Sequence, residues 1–570
     1  MDKKSPPAAG LSIAITGSGG SGAVTAGLIL LAAFARAGHY GLMSRSAGPQ
    51  IRGGESAAML RFSTGPVECL GDGFDLLVGL DWGNIGRFLD EIPLHAGSRV
   101  LSDPAVGAVP AAISESDVQL RELPLKAMAS GVEGGRVNMV ALGAAGASAG
   151  LPLEALEAGA VTILRSKGGE TLAAAIACIR SGFGLVAGRQ QGVAAAGERW
   201  SLSGNEASGL GALRGGVRFV AAYPITPATE MLEWLAPRLE RLGGALLQAE
   251  DELAAVNMAI GGSFGGVPSM TATSGPGLSL MMEGLGLAVS SETPVVVADV
   301  MRGGPSTGIP TKSEQSDLDI ALHGLHGDAP HLVLAALDVR DCVLTFHWAV
   351  RLAEHLQTAA IVLTDQSLGQ SRAIVDPPDA FQGDLPRVTA EGGDQPYARY
   401  ALTDSGISPM ATPGQPRRIY TADGLEHNQR GIPSSAAADH LAQLAKRQRK
   451  LRQLDFGAYW ADIRGAGETC LITWGSVAGA VREAAQRLDA AGRPTRVLAL
   501  RLICPLQREA FAKALAGVRD AFVIEQNQGA QLFHYLHGLR ALPPGARSLA
   551  RPGPLLLRPG EIFKAVVAEA

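Results

Sequence analysis

The chain has 570 residues, long enough for several domains and more than one buried core, and 73 glycines against 5% aromatics mean packing through small and aliphatic side chains. A net charge of −5 gives no electrostatic ground for binding nucleic acid. The five cysteines, Cys69, Cys178, Cys342, Cys470 and Cys504, show no CxxC spacing, which points to a reducing, cytoplasmic setting and away from a zinc site or iron–sulfur cluster held by this chain.

After MDKKSPPAAG, the run LSIAIT (11–16) reads as a strand entering GSGGSG (17–22) and then a helix. The apolar stretch 23–34 is too short to cross a bilayer, so no membrane segment is expected. Gly17, Gly19 and Gly22 satisfy GxGxxG, a pattern that sets a phosphate at a helix N-terminus. No Asp or Glu occurs between Gly22 and Glu55, so the acid that would hold the ribose of NAD is missing. Arg45 leaves NADP, or the 3'-phosphorylated ADP of coenzyme A, open; a plain structural turn is the alternative. SAGPQIRGG (46–54) follows, then GDG (71–73) as a turn before the strand DLLVGL (75–80). Strand and helix signals run to about 188, and 187–207 reads as an exposed linker of polar and small residues.

The next stretch carries four loops, too many for a plain scaffold. VRFVAAYPITP takes a strand into the first, where Pro224 and Pro227 stiffen the backbone and bias Tyr223 and Thr226 toward extended geometry. Such rigidity suits a Thr hydroxyl and backbone aimed in advance at a carboxylate, although a Pro-rich turn is the bland reading. QAEDELAAVNMAIGG (248–262) and TSGPG (273–277) each open a helix. PVVVADV (294–300) reads as a buried parallel strand, and MRGGPSTGIPTKSEQSD (301–317) follows it. Repeated strand, loop and helix imply an α/β sheet whose loops collect at the carboxyl ends of its strands, where a ligand belongs. Arg302, just past the buried strand with glycines at 303 and 304, offers a planar fork of donors to a carboxylate.

A strand-like run at 357–363 precedes a long aperiodic stretch, 374–434, which contains GLEHN (424–428). The basic run KRQRKLR (446–452) reads as the solvated face of a helix. From 456 onward, strand signals at 468–476, 496–505 and 520–532 and a helix at 479–491 form a last α/β unit, with Cys470 in its core.

The spacing from Glu252 to Gly261 followed by TSGPG resembles the pyrimidine-binding domain of thiamine diphosphate enzymes. Together with YPITP and RGGPSTGIPT it is similar to the alpha subunit of 2-oxoacid:ferredoxin oxidoreductases, and SAGPQIRGG resembles the characteristic loop of that family's gamma domain. The layout looks like the form with a fused gamma domain, as in 2-oxoglutarate:ferredoxin oxidoreductase. The resemblance implies three α/β domains: a Rossmann-like gamma domain at 1–190, a thiamine pyrimidine-binding domain at 204–373 after a linker at 191–203, and a transketolase C-terminal-like domain at 456–570 after a connector at 374–455.

By the same resemblance Glu252 is the catalytic acid, and Thr273, Ser274 and Gly275 line the cofactor. Thiamine becomes nucleophilic when its C2 proton passes to its own 4'-imino group, which requires a carboxyl at N1' of the pyrimidine; a Glu in an apolar pocket suits that task. The neighbours Glu250 and Asp251 also fit a helix start through its dipole. Thr226 and Arg302, with Tyr223 beside them, would hold the 2-oxoacid carboxylate, and Thr311 would lie near its variable end. Gly19, Gly20 and Arg52 would contact coenzyme A. GDG with Asn84 is similar to the magnesium–diphosphate motif of thiamine enzymes, but there the Asn stands much further along, so no such site is read in this chain. A beta subunit is therefore expected to supply the diphosphate anchor, Mg²⁺ and a [4Fe-4S] cluster in a dimer of alpha–beta heterodimers, with ferredoxin as electron partner. The reaction implied converts 2-oxoglutarate, coenzyme A and oxidised ferredoxin into succinyl-CoA, CO2 and reduced ferredoxin, or runs in reverse for carbon fixation in a reductive TCA cycle. Pyruvate or branched-chain specificity, a non-catalytic assembly subunit and an NADP enzyme are the rivals.

Overall fold

Four of the strands that precede the motif loops lie side by side and run the same way. The computed structural model describes residues 10–47, 54–186, 197–309, 312–379, 381–394 and 396–569. Its second sheet has the order Leu502–Cys504, Leu332–Ala335, Ala359–Asp365, Val295–Met301, Ser269–Thr273, Phe219–Ala222, Ala245–Gln248. All pairings are parallel except that of Leu502–Cys504 with Leu332–Ala335. Val295–Met301 is buried at every position, as its run of β-branched residues predicts. Because the last four strands listed are parallel neighbours, the loops opening at Arg302, Ser274, Tyr223 and Ala249 emerge at one edge.

Two helices begin at that edge. Glu252–Phe264 is capped by Asp251, whose side chain accepts the Ala254 N–H at 2.7 Å. Gly275–Ser290 starts with Pro276 in its first turn, where the missing N–H costs nothing. They pack closely through glycine: a Cβ on Gly284 would lie 2.9 Å from the Val256 side chain.

The first sheet is mixed. Gln119–Glu122, Leu94–Ser102, Phe74–Gly79 and Leu11–Ser18 are parallel, and Glu55–Ser63, Tyr40–Ala47, Arg372–Val375 and Trp200–Ser203 continue it antiparallel. The last two strands depart from expectation: Trp200–Ser203 falls within the stretch read as an exposed linker. WSLS is too short and too polar for periodicity to betray it, and the partner that orders it, Arg372–Val375, lies far along the chain. The third sheet, Ala461–Arg464, Thr495–Leu500, Thr469–Trp474, Asp520–Glu525, Arg547–Ala550, meets the second through reciprocal bonds between Gln315 and Gln526, both 2.8 Å.

The basic helix also differs from its sequence reading. In Ala437–Gln453 the side chains of Lys446, Arg447 and Lys450 are buried, not solvated. Lys446 and Lys450 both bond the buried Glu292 carboxylate, the latter at 3.1 Å, and Arg399 donates to the Glu292 carbonyl at 2.7 Å. Arg447 bonds Glu426 of GLEHN at 2.7 Å. A counter-charge 154 residues upstream of Lys446 turns a surface pattern into an interior one. Among the described residues, no helix is long and apolar enough to cross a membrane.

Candidate functional site

Glu252 is the first residue of its helix and only 7% exposed. Among the described residues its carboxylate has no hydrogen-bond partner; what lies against it is the GPG turn. A Cβ on Gly277 would stand 2.7 Å from Glu252 Oε1 and 2.1 Å from Thr273 Oγ1, so only glycine lets the turn close over both. Gly261, nine residues on, faces open space: nothing approaches its virtual Cβ within 4 Å. Thr273, Ser274 and Gly275 are buried under the turn.

Arg302 follows the buried strand and donates from Nη1 to the Thr226 carbonyl at 2.7 Å. Its Nε is buried and has no partner among the described residues. Thr226 is exposed, and Tyr223 is 39% exposed, so the YPITP loop faces outward beside the guanidinium. The glycine-rich loop folds back on itself, Gly303 N–H to the Lys312 carbonyl at 3.0 Å and Ile309 N–H to the Gly303 carbonyl at 2.8 Å. Thr311, on this loop, and Arg52 lie outside the described residues.

The first sheet reaches this edge through ion pairs that sequence reasoning missed. Lys312 Nζ donates to Ser46 Oγ at 2.7 Å and pairs with Glu91, and Arg45 pairs with Glu230. Arg45 is thus engaged by a carboxylate and not held in reserve for a ribose phosphate. Asp299 and Asp317 were also missed. They sit on the same edge with their carboxyl groups within hydrogen-bonding reach of each other, and burial pushes both well above the usual range, Asp317 to about 7. Asp299 was hidden inside an apolar run; only its oddity as a charge in PVVVADV signalled it.

Gly19 and Gly20 line a separate cavity of about 930 Å³, with Asn138, Thr171 and, exposed at its rim, Arg136 and Lys167. Gly22 takes φ 84°, and a Cβ there would lie 2.2 Å from Asn138 Nδ2, so glycine is required at this helix entry. The Gly19 N–H is committed to the Gly54 carbonyl at 2.6 Å, which removes one amide from any phosphate cradle. Asp72 of GDG accepts the Gly560 N–H at 2.7 Å and pairs with Arg487, a structural role. Among the described residues no three of His, Cys, Asp or Glu stand together as a metal cage.

A family model for pyruvate flavodoxin/ferredoxin oxidoreductase, thiamine diphosphate-binding, matches residues 210–447, and one for pyruvate ferredoxin/flavodoxin oxidoreductase matches 12–185. The 2-oxoacid:ferredoxin oxidoreductase 1 subunit alpha of Sulfurisphaera tokodaii is 36% identical over 356 residues, 58% of this chain but 56% of that protein, so the match spans about half of that relative's length. The 2-oxoglutarate synthase subunit KorA of Methanothermobacter marburgensis is 32% identical over 377 residues, 65% of this chain and 99% of that protein. Among solved structures, 2-oxoglutarate:ferredoxin oxidoreductase from Magnetococcus marinus, with 2-oxoglutarate, coenzyme A and succinyl-CoA bound, has a TM-score of 0.91 and 36% identity over 98% of this chain and 99% of that one.

Proposed function

The chain belongs to the 2-oxoacid:ferredoxin oxidoreductase family, and we propose that it is the alpha subunit of a thiamine diphosphate-dependent enzyme of that kind. The reaction joins a 2-oxoacid, coenzyme A and oxidised ferredoxin to an acyl-CoA, CO2 and reduced ferredoxin, in either direction. The observation that carries this reading is the nearly buried Glu252 carboxylate on the same sheet edge as the Arg302 guanidinium.

The residues fit half of a thiamine pocket. Among the described residues Glu252 has no competing bond from a basic side chain, and it would hold a proton at the ring nitrogen of the aminopyrimidine, with Thr273, Ser274 and Gly275 as the wall beneath it. The cofactor, when bound, supplies the nucleophilic carbon for attack on the 2-oxo group. Arg302, anchored by the Thr226 carbonyl, has further N–H groups for the substrate carboxylate, while Thr226 and Tyr223 bound that space and Thr311 would act at its far end. A beta subunit would bring the diphosphate and Mg²⁺ anchor and the [4Fe-4S] cluster, in a dimer of heterodimers working in the cytoplasm.

For the acid itself we favour 2-oxoglutarate, supported by the kinship with 2-oxoglutarate synthase and with a structure that contains this substrate. Coenzyme A is assigned to Gly19, Gly20 and Arg52, supported by a cavity of suitable size with the cations Arg136 and Lys167 at its rim. Turnover of the co-expressed alpha and beta subunits against a panel of 2-oxoacids tests the whole reading. Rates highest with 2-oxoglutarate and reduced at least a hundredfold in Glu252→Gln are expected; near-normal turnover in that variant would instead make the chain an assembly subunit.

A further inference from the structure

Asp299 and Asp317 form a buried acidic pair that the proposed chemistry does not use. Asp299 is the fifth residue of Val295–Met301 and is fully buried; Asp317 stands at the N-terminal boundary of the short helix Leu318–His323. Among the described residues neither Asp299 oxygen nor Oδ2 of Asp317 has a donor, and the group each carboxyl meets is the other. Two ionised carboxylates repel each other in such a space, which favours one proton shared between them. Among the described residues the cation acting on Asp317 is Arg302, and Glu314, against Gly303, acts in the opposite sense.

The pair lies under the site. Asp299 is the register partner of Thr273 in the adjacent strand, immediately before the TSGPG turn. A Cβ on Gly275 would fall 2.6 Å from Asp317 Oδ2 and 2.7 Å from Oδ1, so the carboxyl presses on the turn at Gly275 as Glu252 does at Gly277. The Ser274 and Ser316 hydroxyls and Arg302 Nε nearby are buried without partners among the described residues.

We infer that Asp299 and Asp317 act as a positioning pair: sharing one proton, they brace the Ser274–Gly277 turn and balance Arg302, so that 2-oxoacid binding depends on that proton. This rests on the function proposed above. With the proton in place the pair carries one negative charge; when it leaves, a second charge forms beside Arg302 and opposes the incoming carboxylate.

The test uses the alpha–beta complex and the full chain alone. In the complex, the KM for the 2-oxoacid should rise about tenfold per pH unit once the pair loses its proton, while the KM for coenzyme A stays level. Asp317→Ala should lower kcat/KM for the 2-oxoacid at least tenfold; Asp317→Asn and Asp299→Asn, which keep one donor and one charge, should recover most of that loss and flatten the pH dependence. An unchanged pH profile in both Asn variants would overturn the inference. Independently of turnover, the infrared difference spectrum of the full chain minus each Asn variant should show the carbonyl stretch of a protonated, buried carboxylic acid. If that band is missing while the complex is active, the pair falls and the function stands; if it is present in a complex inert toward every 2-oxoacid, the shared proton stands and the function falls.

Discussion

Arg302 reaches across 76 residues of sequence to bond the Thr226 carbonyl at 2.7 Å, joining two motif loops into one wall. The bond fixes one end of the guanidinium and orients its remaining donors. Arg302→Lys keeps the charge but loses the fork, and a hydrogen bond to a charged group is worth about 1.5–3 kcal/mol. The expected result is a rise of roughly ten- to a hundredfold in the KM for the 2-oxoacid, with coenzyme A unaffected, read from steady-state rates of the complex.

Gly277 gives a second prediction. A methyl group there would collide with Thr273 Oγ1 and with Glu252 at both Cγ and Oε1. Gly277→Ala should destabilise the fold by about 1–3 kcal/mol and lower kcat far more than a surface Gly→Ala change such as Gly169→Ala, where nothing lies within 4 Å. Denaturant titration and turnover of the two variants settle it.

The buried Glu292 with its two lysines predicts an asymmetry. Glu292→Gln leaves the ammonium groups of Lys446 and Lys450 without a counter-charge and should cost about 3–5 kcal/mol. Lys450→Met leaves one matched pair and should cost clearly less. Equal losses in urea unfolding would refute this account.

The same lysine sets a pH dependence. Burial and the neighbouring Lys446, partly offset by Glu292, lower the Lys450 pKa from 10.5 to about 7. Between those values the unfolded chain binds more protons at this position than the folded chain, so stability rises with pH across that window and the cost of charging is complete below it. Wild-type protein should therefore gain stability relative to Lys450→Met between pH 7 and pH 9, measured by urea midpoints at each pH.

Charge reversal at the cavity rim tests the coenzyme A assignment. Arg136→Glu and Lys167→Glu should each raise the KM for coenzyme A about tenfold, more at low ionic strength, and leave that for the 2-oxoacid unchanged.

The four motif loops and their strands were legible because each combines a local signal with a local cause: prolines in YPITP, β-branched residues in PVVVADV, an Asp cap before Glu252. What escaped depended on distant partners. Nothing near KRQRKLR announces Glu292, and nothing near WSLS announces Arg372–Val375, so a basic face and a linker were the natural readings. Asp317 closed the loop 301–317 without a role because its meaning is pairwise and its mate, Asp299, lies in the apolar run before that loop. Arg45 was left open for a phosphate, yet Glu230, next to the YPITP loop, takes it up.

Trp200–Ser203 and Arg372–Val375 belong by sequence to the flanks of the second sheet but are stitched by backbone bonds onto the edge of the first. Only six residues separate Asp365, the end of a central strand of one sheet, from Arg372 in the other. The two units are therefore laced together by sheet hydrogen bonds as well as by the chain itself. A ligand seated in the Gly19 cavity would have to reach toward Glu252 with a flexible arm of its own.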